Sequence, residues 1–201
     1  IYQRFDPNSQ SRDIRRILEL LIDARVILPC THTNANSTPL AGESDHSIQK
    51  IYFLDIGLVN AMMDLDFISI DNEFKNNFNT KGVLAEQFVA QHLAYCGNNS
   101  LPPLLYYWLR DKGSQKGEID FILQDSGKIF PIEVKATETG HLKSLFYFIM
   151  EKKQNIAFKI SLSLFSNKKV EHQISNDKVT AQLINIPQYA IEKIYKIISQ
   201  L

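Results

Sequence analysis

The spacing of apolar residues predicts helices and strands along most of the chain. Helical spacing, with apolar positions three or four apart, covers residues 11–28, 82–96 and 141–153. Apolar or alternating runs predict strands at 50–54, 104–110, 117–123, 128–136, 155–163 and 179–186. Pro29 is expected to end the first helix, Asp55 to cap a short helix and Pro187 to open the last helix. Residues 29–50 are polar and predict a loop, and a second polar stretch covers 166–178.

This order of elements predicts two structural units. Residues 1–64 contain a helix, a loop, a strand and a short helix, which together suggest a small winged-helix-like unit. Residues 65–81 carry many Asn and Asp residues with little periodicity, and they predict a linker. Residues 82–201 have the order αβββαβ, followed by one more strand and a helix. The expected fold class is therefore a mixed α/β (α+β) protein.

Composition excludes several classes of protein. With 44% hydrophobic content, 201 residues can bury a core, and 22 basic against 22 acidic residues produce no overall field that would recruit nucleic acid. Cys30 and Cys96 form no CxxC pair, so a zinc site and a disulfide framework are not expected, and a reducing cytoplasm fits best. No apolar run reaches the length of a membrane span, and no signal peptide opens the chain. The start at Ile1 suggests a fragment of a longer protein.

Charged residues interrupt two of the most apolar predicted strands. Alternation along a strand puts Glu118 with Asp120 on one face, and likewise Glu133 with Lys135. A short turn joins the two strands, so we expect Asp120 and Glu133 to face each other. Two carboxylates this close favour a cation between them, and hard oxygen ligands suit Mg²⁺ or Mn²⁺. Lys135 would orient a water, help to deprotonate it or stabilise charge that builds on a phosphate.

An upstream acid extends this predicted site. Glu86 falls on the apolar face of the helix at 82–96, where a buried acid needs a partner. If that helix packs beside the two strands, Glu86 becomes a third carboxylate that reaches the metal directly or through water. Glu118 lies one step further out, and two roles stay open for it: a solvated charge at the edge, or a part of the metal shell.

These residues resemble the pattern of the PD-(D/E)XK phosphodiesterase superfamily, which includes restriction endonucleases, archaeal Holliday-junction resolvases and RecB-type nucleases. The resemblance rests on Glu86 in the first helix, Asp120 in "GEIDFIL" and Glu133-x-Lys135 in "PIEVKA". No Pro precedes Asp120, as in many members of that loose superfamily. The resemblance implies a restriction-endonuclease-like αβββαβ core in which Asp120, Glu133 and the Val134 carbonyl bind Mg²⁺. It further implies that Glu86 assists and that Lys135 positions the attacking water.

A closer resemblance covers about residues 10–195. The segments "KIYFLDIGLVNAMM", "GVLAEQFVAQHL", "IFPIEVKA" and "INIPQYAIEKI" are similar, in this order, to the domain of unknown function 4143. That domain typically follows an AAA-type ATPase domain in bacterial and archaeal proteins. The resemblance implies an N-terminal ATPase as partner domain and nucleic acid as partner. The chain has no G-x-x-x-x-G-K-[ST] loop, so ATP binding would belong to the missing N-terminal domain.

Other functions remain open. The chain could be a non-catalytic module that docks on its own ATPase, a partner protein or DNA, with the acid and lysine cluster as a structural ion pair. The helix at 11–28 carries four arginines and could belong to a DNA-binding unit, although acidic residues offset them. The basic loop 110–117 is a candidate contact for a nucleic-acid backbone or a solvated hairpin loop, and Lys143 and Ser144 could meet a phosphate or cap their helix.

Overall fold

A computed structural model describes residues 11–64, 78–96, 104–110, 117–138 and 140–201, which form a mixed α+β fold. The strands are Ile27–Thr33 (β1), Ser44–Phe53 (β2), Leu105–Arg110 (β3), Gly117–Asp125 (β4), Lys128–Val134 (β5), Ile156–Ser161 (β6), Ser166–Ile174 (β7) and Asp177–Pro187 (β8). The α-helices within the described ranges are Ser11–Asp23 (α1), Ile56–Met62 (α2), Phe78–Cys96 (α3), Lys143–Lys152 (α4) and Ile194–Ile198 (α5). Two 3₁₀-helices cover Leu40–Glu43 and Gln188–Lys193.

All eight strands form one sheet in the order β2-β1-β3-β4-β5-β6-β8-β7. The pairs β1–β3, β5–β6 and β6–β8 are parallel, and the other neighbours are antiparallel. Neighbouring residues of β4 enter different apolar clusters. Phe121 packs in the cluster that contains Val89 of α3, and Ile122 packs in the one that contains Leu145 of α4. Helices therefore cover both faces of the sheet, as expected for a sheet whose strands are mostly apolar.

The order from α3 to β6 is helix, three strands, helix and strand, as the apolar pattern predicts. A two-residue turn joins β4 to β5, with Ser126 at φ 48° and Gly127 at φ 78°. Two consecutive residues with positive φ are typical of the turn that matches the twist of an antiparallel hairpin. The hairpin pairs Asp125 with Lys128 and continues to Phe121 and Ile132.

The N-terminal region differs from its predicted pattern. The first helix ends at Asp23, because Arg25 takes a positive φ of 55°, and residues 27–33 form a strand that includes Pro29. Most of the predicted loop 29–50 therefore lies in β1, a 3₁₀-helix and β2. These two strands join the sheet of the later segment, because β1 pairs in parallel with β3. Of the predicted linker, residues 65–77 lie outside the described part of the chain, and 78–81 belong to α3.

The polar stretch 166–178 also differs from the expected pattern, because it contains β7. Among the described strands it lies at the edge of the sheet, where it pairs with β8. Edge strands commonly carry exposed lysines, which oppose pairing with another chain, and Lys168 and Lys169 are both exposed. The predicted final helix begins as the 3₁₀-helix Gln188–Lys193 and continues as α5.

Candidate functional site

The end of the β4–β5 hairpin buries two carboxyl groups. Asp120 is 9% exposed and Glu133 is 7% exposed. The pairing of Phe121 with Ile132 is the last in the hairpin, and the same register continued by one step would align Asp120 with Glu133. Here the Val134 N–H donates to Oδ2 of Asp120 at 2.7 Å. Because the N–H of a strand residue points toward the neighbouring strand, the carboxylate of Asp120 lies in the gap between β4 and β5.

The surroundings of both acids disfavour a negative charge. Burial raises the pKa of Asp120 well above its ordinary value of 3.8, and the charges of Glu133 and Glu86 raise it further. Burial also raises the pKa of Glu133, and Lys135 opposes this shift only in part. The two acids therefore favour either a bound proton or a nearby cation.

Glu133 has one paired and one unpaired carboxylate oxygen. Its Oε1 accepts a hydrogen bond from Nζ of Lys135 at 2.6 Å. Its Oε2 is buried and has no hydrogen-bond partner in the part of the chain that the structure describes. An unpaired buried carboxylate oxygen is costly, and such an oxygen commonly marks the place of a water or an ion.

The backbone of Lys135 is held at the carboxyl end of β5. Its N–H donates to the Ile160 carbonyl on β6 at 2.8 Å, and its own carbonyl accepts from Nε2 of Gln188 at 3.1 Å. Gly140 lies against its side chain, since a Cβ at that position would be 2.6 Å from Cδ of Lys135. The lysine stem is thus confined by the segment that leads into α4.

Glu86 has partners that the sequence pattern did not assign. Its Oε2 accepts from the hydroxyl of Tyr52 at 3.2 Å and lies 3.5 Å from Nζ of Lys50. Lys50 also forms an ion pair with Glu118. Lys50 and Tyr52 are two residues apart on β2 and so share a face, and that spacing in "KIYFL" was the available signal.

Two protein carboxylates fit a divalent ion of the magnesium type. Mg²⁺ is commonly held by one or two carboxylates, with waters and substrate phosphates completing its shell. Asp120 and Glu133 supply two such groups, and Oε2 of Glu133, which no described residue pairs with, is available as a metal ligand. Within the described ranges, no three His, Cys, Asp or Glu side chains converge closely enough to hold a metal, so Glu86 does not join them as a third direct ligand here. The Val134 carbonyl is the other ligand that the superfamily resemblance implies.

The remaining candidate contacts lie around α4. Leu142 precedes this helix and makes no side-chain capping bond, so neither Lys143 nor Ser144 serves as its N-cap. Arg110, at the start of the predicted basic loop, donates from Nε to Glu151 Oε1 at 2.6 Å. Residues 111–116 of that loop lie outside the described part of the chain.

Fold and site together define a mixed α+β domain with a buried acid and lysine cluster at the end of a β-hairpin. Residues 81–189, just over half of the chain, match the family model of the domain of unknown function DUF4143, and the chain belongs to this family. Residues 2–69 match a second model, the domain of unknown function DUF8612. Among curated proteins, none matches the chain. Of the helices that the structure describes, none has both the length and the apolar character needed to cross a bilayer.

Proposed function

We propose that this chain hydrolyses phosphodiester bonds in nucleic acid with the help of Mg²⁺ or Mn²⁺, on a restriction-endonuclease-like αβββαβ core. One observation carries the proposal. Asp120 and Glu133 are buried at the same end of one hairpin, and each disfavours its own charge. Glu133 also keeps a buried oxygen that no described residue pairs with. Acids in this state, beside a lysine, are typical of functional sites.

Each residue has a role in this proposal. A divalent ion, when bound, would polarise the phosphate and lower the pKa of a water. Asp120 and Glu133 would hold the ion with the Val134 carbonyl, and the Val134 N–H keeps the Asp120 carboxylate in place. Lys135 would position the attacking water or stabilise the charge on the phosphate. Glu86 would assist through water, because Tyr52 and Lys50 already hold its carboxylate.

The proposal includes partners. The resemblance to the domain that follows AAA-type ATPases supports a role as the C-terminal part of such an ATPase, in which ATP binds only to the N-terminal part. The described order of helix, three strands, helix and strand supports the nuclease-like core. The sequence of the N-terminal part of the full protein would test the pairing, and a phosphate-binding loop there is the expected result.

The metal and the chemistry are tested together. Mn²⁺ titration by calorimetry should show binding, and branched, single-stranded or duplex DNA should be cleaved in Mg²⁺ or Mn²⁺. Asp120→Ala should abolish both signals while circular dichroism stays unchanged. Asp177→Asn is the matched control, because Asp177 is exposed at the start of β8. Absence of ion binding at millimolar concentration would reject the proposal.

A second candidate function is a non-catalytic module that docks on the ATPase, a partner protein or DNA. The observation in its favour is that lysines already neutralise part of the cluster: Lys135 pairs with Glu133, and Lys50 pairs with Glu86 and Glu118. A ligand that binds the folded state raises the melting temperature. A melting temperature that does not change in saturating Mn²⁺ would favour this second function.

A further inference from the structure

Lys50 lies between two carboxylates that come from different elements. Its Nζ is 3.5 Å from Oε2 of Glu86 on α3 and forms an ion pair with Glu118 on β4. A strand from the N-terminal segment thus supplies the positive charge for two acids of the later segment.

Several contacts fix the ammonium group of Lys50 in this place. Nζ lies 5.2 Å from the ring centroid of Tyr107, within the range of a cation–π contact. Tyr52, two residues further along β2, donates its hydroxyl to the same Glu86 oxygen. Burial lowers the pKa of Lys50, but Glu86, Glu118 and Asp120 outweigh burial and raise it above its ordinary value. The group therefore keeps its charge through the neutral pH range.

An ammonium and a divalent ion compete for such a place. Two carboxylates without a cation repel each other, and hard oxygen donors are the ligands that Mg²⁺ and Mn²⁺ prefer. A tethered ammonium neutralises one charge at any ion concentration. A divalent ion could bind between Glu86 and Glu118 only after it displaces Lys50 from both of them.

We propose that the ammonium of Lys50 occupies the position of a second cation, between Glu86 and Glu118, and excludes a divalent ion from it. The number of bound ions rests on the proposed function: the chain then binds one divalent ion, at Asp120 and Glu133. Lys50 is then a positioning residue that sets the number and place of the ions. Nucleic acid would meet one divalent ion together with the fixed ammonium of Lys50 and the ammonium of Lys135.

Ion stoichiometry tests this assignment directly. The chain is freed of metal with a chelator and titrated with Mn²⁺ by calorimetry, as wild type, Lys50→Met and Lys50→Arg. Lys50→Met removes the charge with little change in side-chain volume, and Lys50→Arg keeps the charge. We expect one ion for wild type and for Lys50→Arg, and two for Lys50→Met. Equal stoichiometry in wild type and Lys50→Met would overturn the proposal.

The result separates this inference from the proposed function. If wild type binds no ion and Lys50→Met binds one, the proposed metal site at Asp120 and Glu133 fails and the role of Lys50 stands. If wild type already binds two ions, the role of Lys50 fails and the metal site stands. The double variant Lys50→Met with Glu86→Gln should lose the added ion, because one of its two carboxylates is gone.

Thermal melting covers the case of a variant that folds poorly. Removal of the charge should lower the melting temperature of Lys50→Met in chelator, because Glu86 and Glu118 then repel each other. Mn²⁺ should restore that loss, with a larger upward shift than in wild type or in the double variant. A Lys50→Met protein that Mn²⁺ does not stabilise beyond the wild-type shift would overturn the proposal.

Discussion

At the residue scale, Asp120 is a buried acid whose surroundings disfavour its charge. Its carboxyl group is buried, and burial, Glu133 and Glu86 raise its pKa above the ordinary value. Among the described residues, one backbone N–H, that of Val134, donates to it. A residue in this state destabilises the folded chain whenever it is ionised, and a functional reason for keeping it is the simplest explanation.

The first prediction is that Asp120→Asn stabilises the chain at neutral pH in the absence of divalent ions. An acid with a raised pKa binds its proton more tightly in the folded state. Its stabilising effect is complete below the ordinary value of 3.8 and is lost as pH rises through the folded pKa. The amide oxygen of Asn can still accept from Val134, and it cannot ionise. Melting temperatures from pH 4 to pH 8 in chelator should show a gain that grows with pH.

Exposed Asp177 again supplies the control, since Asp177→Asn should follow the wild-type pH profile. A gain for Asp120→Asn that is independent of pH would contradict the raised pKa. If Asp120 holds the proposed metal, Mn²⁺ should raise the melting temperature of wild type but not that of Asp120→Asn.

The sequence predicts part of this cluster and misses part of it, for a physical reason. Strand alternation and hairpin geometry depend on local spacing, so the pairing of Glu133 with Lys135 follows from two positions in one strand. The contact of Glu86 with Lys50 joins residues 36 positions apart and requires β2 to lie beside α3. No local pattern encodes that contact. The apolar pattern of the helix predicts only that Glu86 needs a partner.

At the element scale, Gln87 fastens β2 to α3. Its Oε1 accepts from the Phe53 N–H at 2.9 Å, and its Nε2 donates to the Phe53 carbonyl at 2.8 Å. The side-chain amide of Gln87 thus forms the hydrogen bonds that a neighbouring strand would form with this edge of β2, and Gln87 is 3% exposed. One turn further along α3, Gln91 makes a similar bond: its Oε1 accepts from the Ile56 N–H at 2.8 Å.

The second prediction follows from that double bond. Gln87→Ala should lower the free energy of unfolding by about 1–3 kcal/mol, because it leaves the N–H and the carbonyl of Phe53 unpaired. Urea denaturation measures the change. The control is Gln173→Ala on the exposed face of β7, which should stay within about 0.5 kcal/mol of wild type. Equal midpoints for the two variants would show that Gln87 does not fasten the strand.

A second element-scale feature is the loop at the carboxyl end of β6. Asn185 is buried on β8, accepts from the Ser161 hydroxyl at 2.6 Å and donates to the carbonyls of Ser163 and Leu164 at 3.0 and 2.9 Å. The loop nevertheless exposes large apolar side chains, with Leu164 at 79% and Phe165 at 57%. One buried amide therefore restrains the backbone of an exposed apolar loop.

The third prediction is that Asn185→Ala releases this loop. Three hydrogen bonds are lost, so the free energy of unfolding should fall by about 1–3 kcal/mol. Local opening exposes backbone to proteases, and chymotrypsin should cut faster after Leu164 or Phe165. Exposed Asn167→Ala on β7 is the control and should leave the cleavage rate unchanged. An unchanged rate in Asn185→Ala would show that the amide does not restrain the loop.

Strands without an apolar alternation explain where the element predictions are wrong. β1 contains Pro29, which reads as a breaker, yet the parallel pairing with β3 begins only at the next residue, Cys30. The missing N–H is therefore tolerated at that end of the strand. β7 is polar on most of its surface because it is an edge strand with one neighbouring strand, and only Val170, His172 and Ile174 of the strand pack on the apolar cluster that contains α4. The apolar runs of β4 and β5 predict these two strands, whereas Pro29 in β1 and the polar residues of β7 hide the other two.

At the scale of the whole molecule, the shared sheet decides how the two segments depend on each other. β1 pairs with β3 through Cys30, Thr31 and His32, and Leu28 and Cys30 belong to the same apolar cluster as Val89 and Phe121. The predicted boundary at 65–81 would divide this sheet and this cluster. Two separate family models match residues 2–69 and residues 81–189. An evolutionary boundary between the two segments is therefore compatible with the sheet that they share.

The fourth prediction is that residues 82–201 do not fold cooperatively alone. Removal of residues 1–81 would expose the edge of β3 and the apolar side chains that β1 covers, and such edges favour aggregation. Size-exclusion chromatography and urea denaturation of the fragment should show aggregates or no sharp transition. Residues 1–64 and 65–201 produced together as two chains should instead co-purify and melt as one unit, since they keep the β1–β3 pairing. A fragment 82–201 that unfolds cooperatively at the midpoint of the full chain would establish two independent domains, and the ion pair of Lys50 with Glu86 would then be a contact between domains.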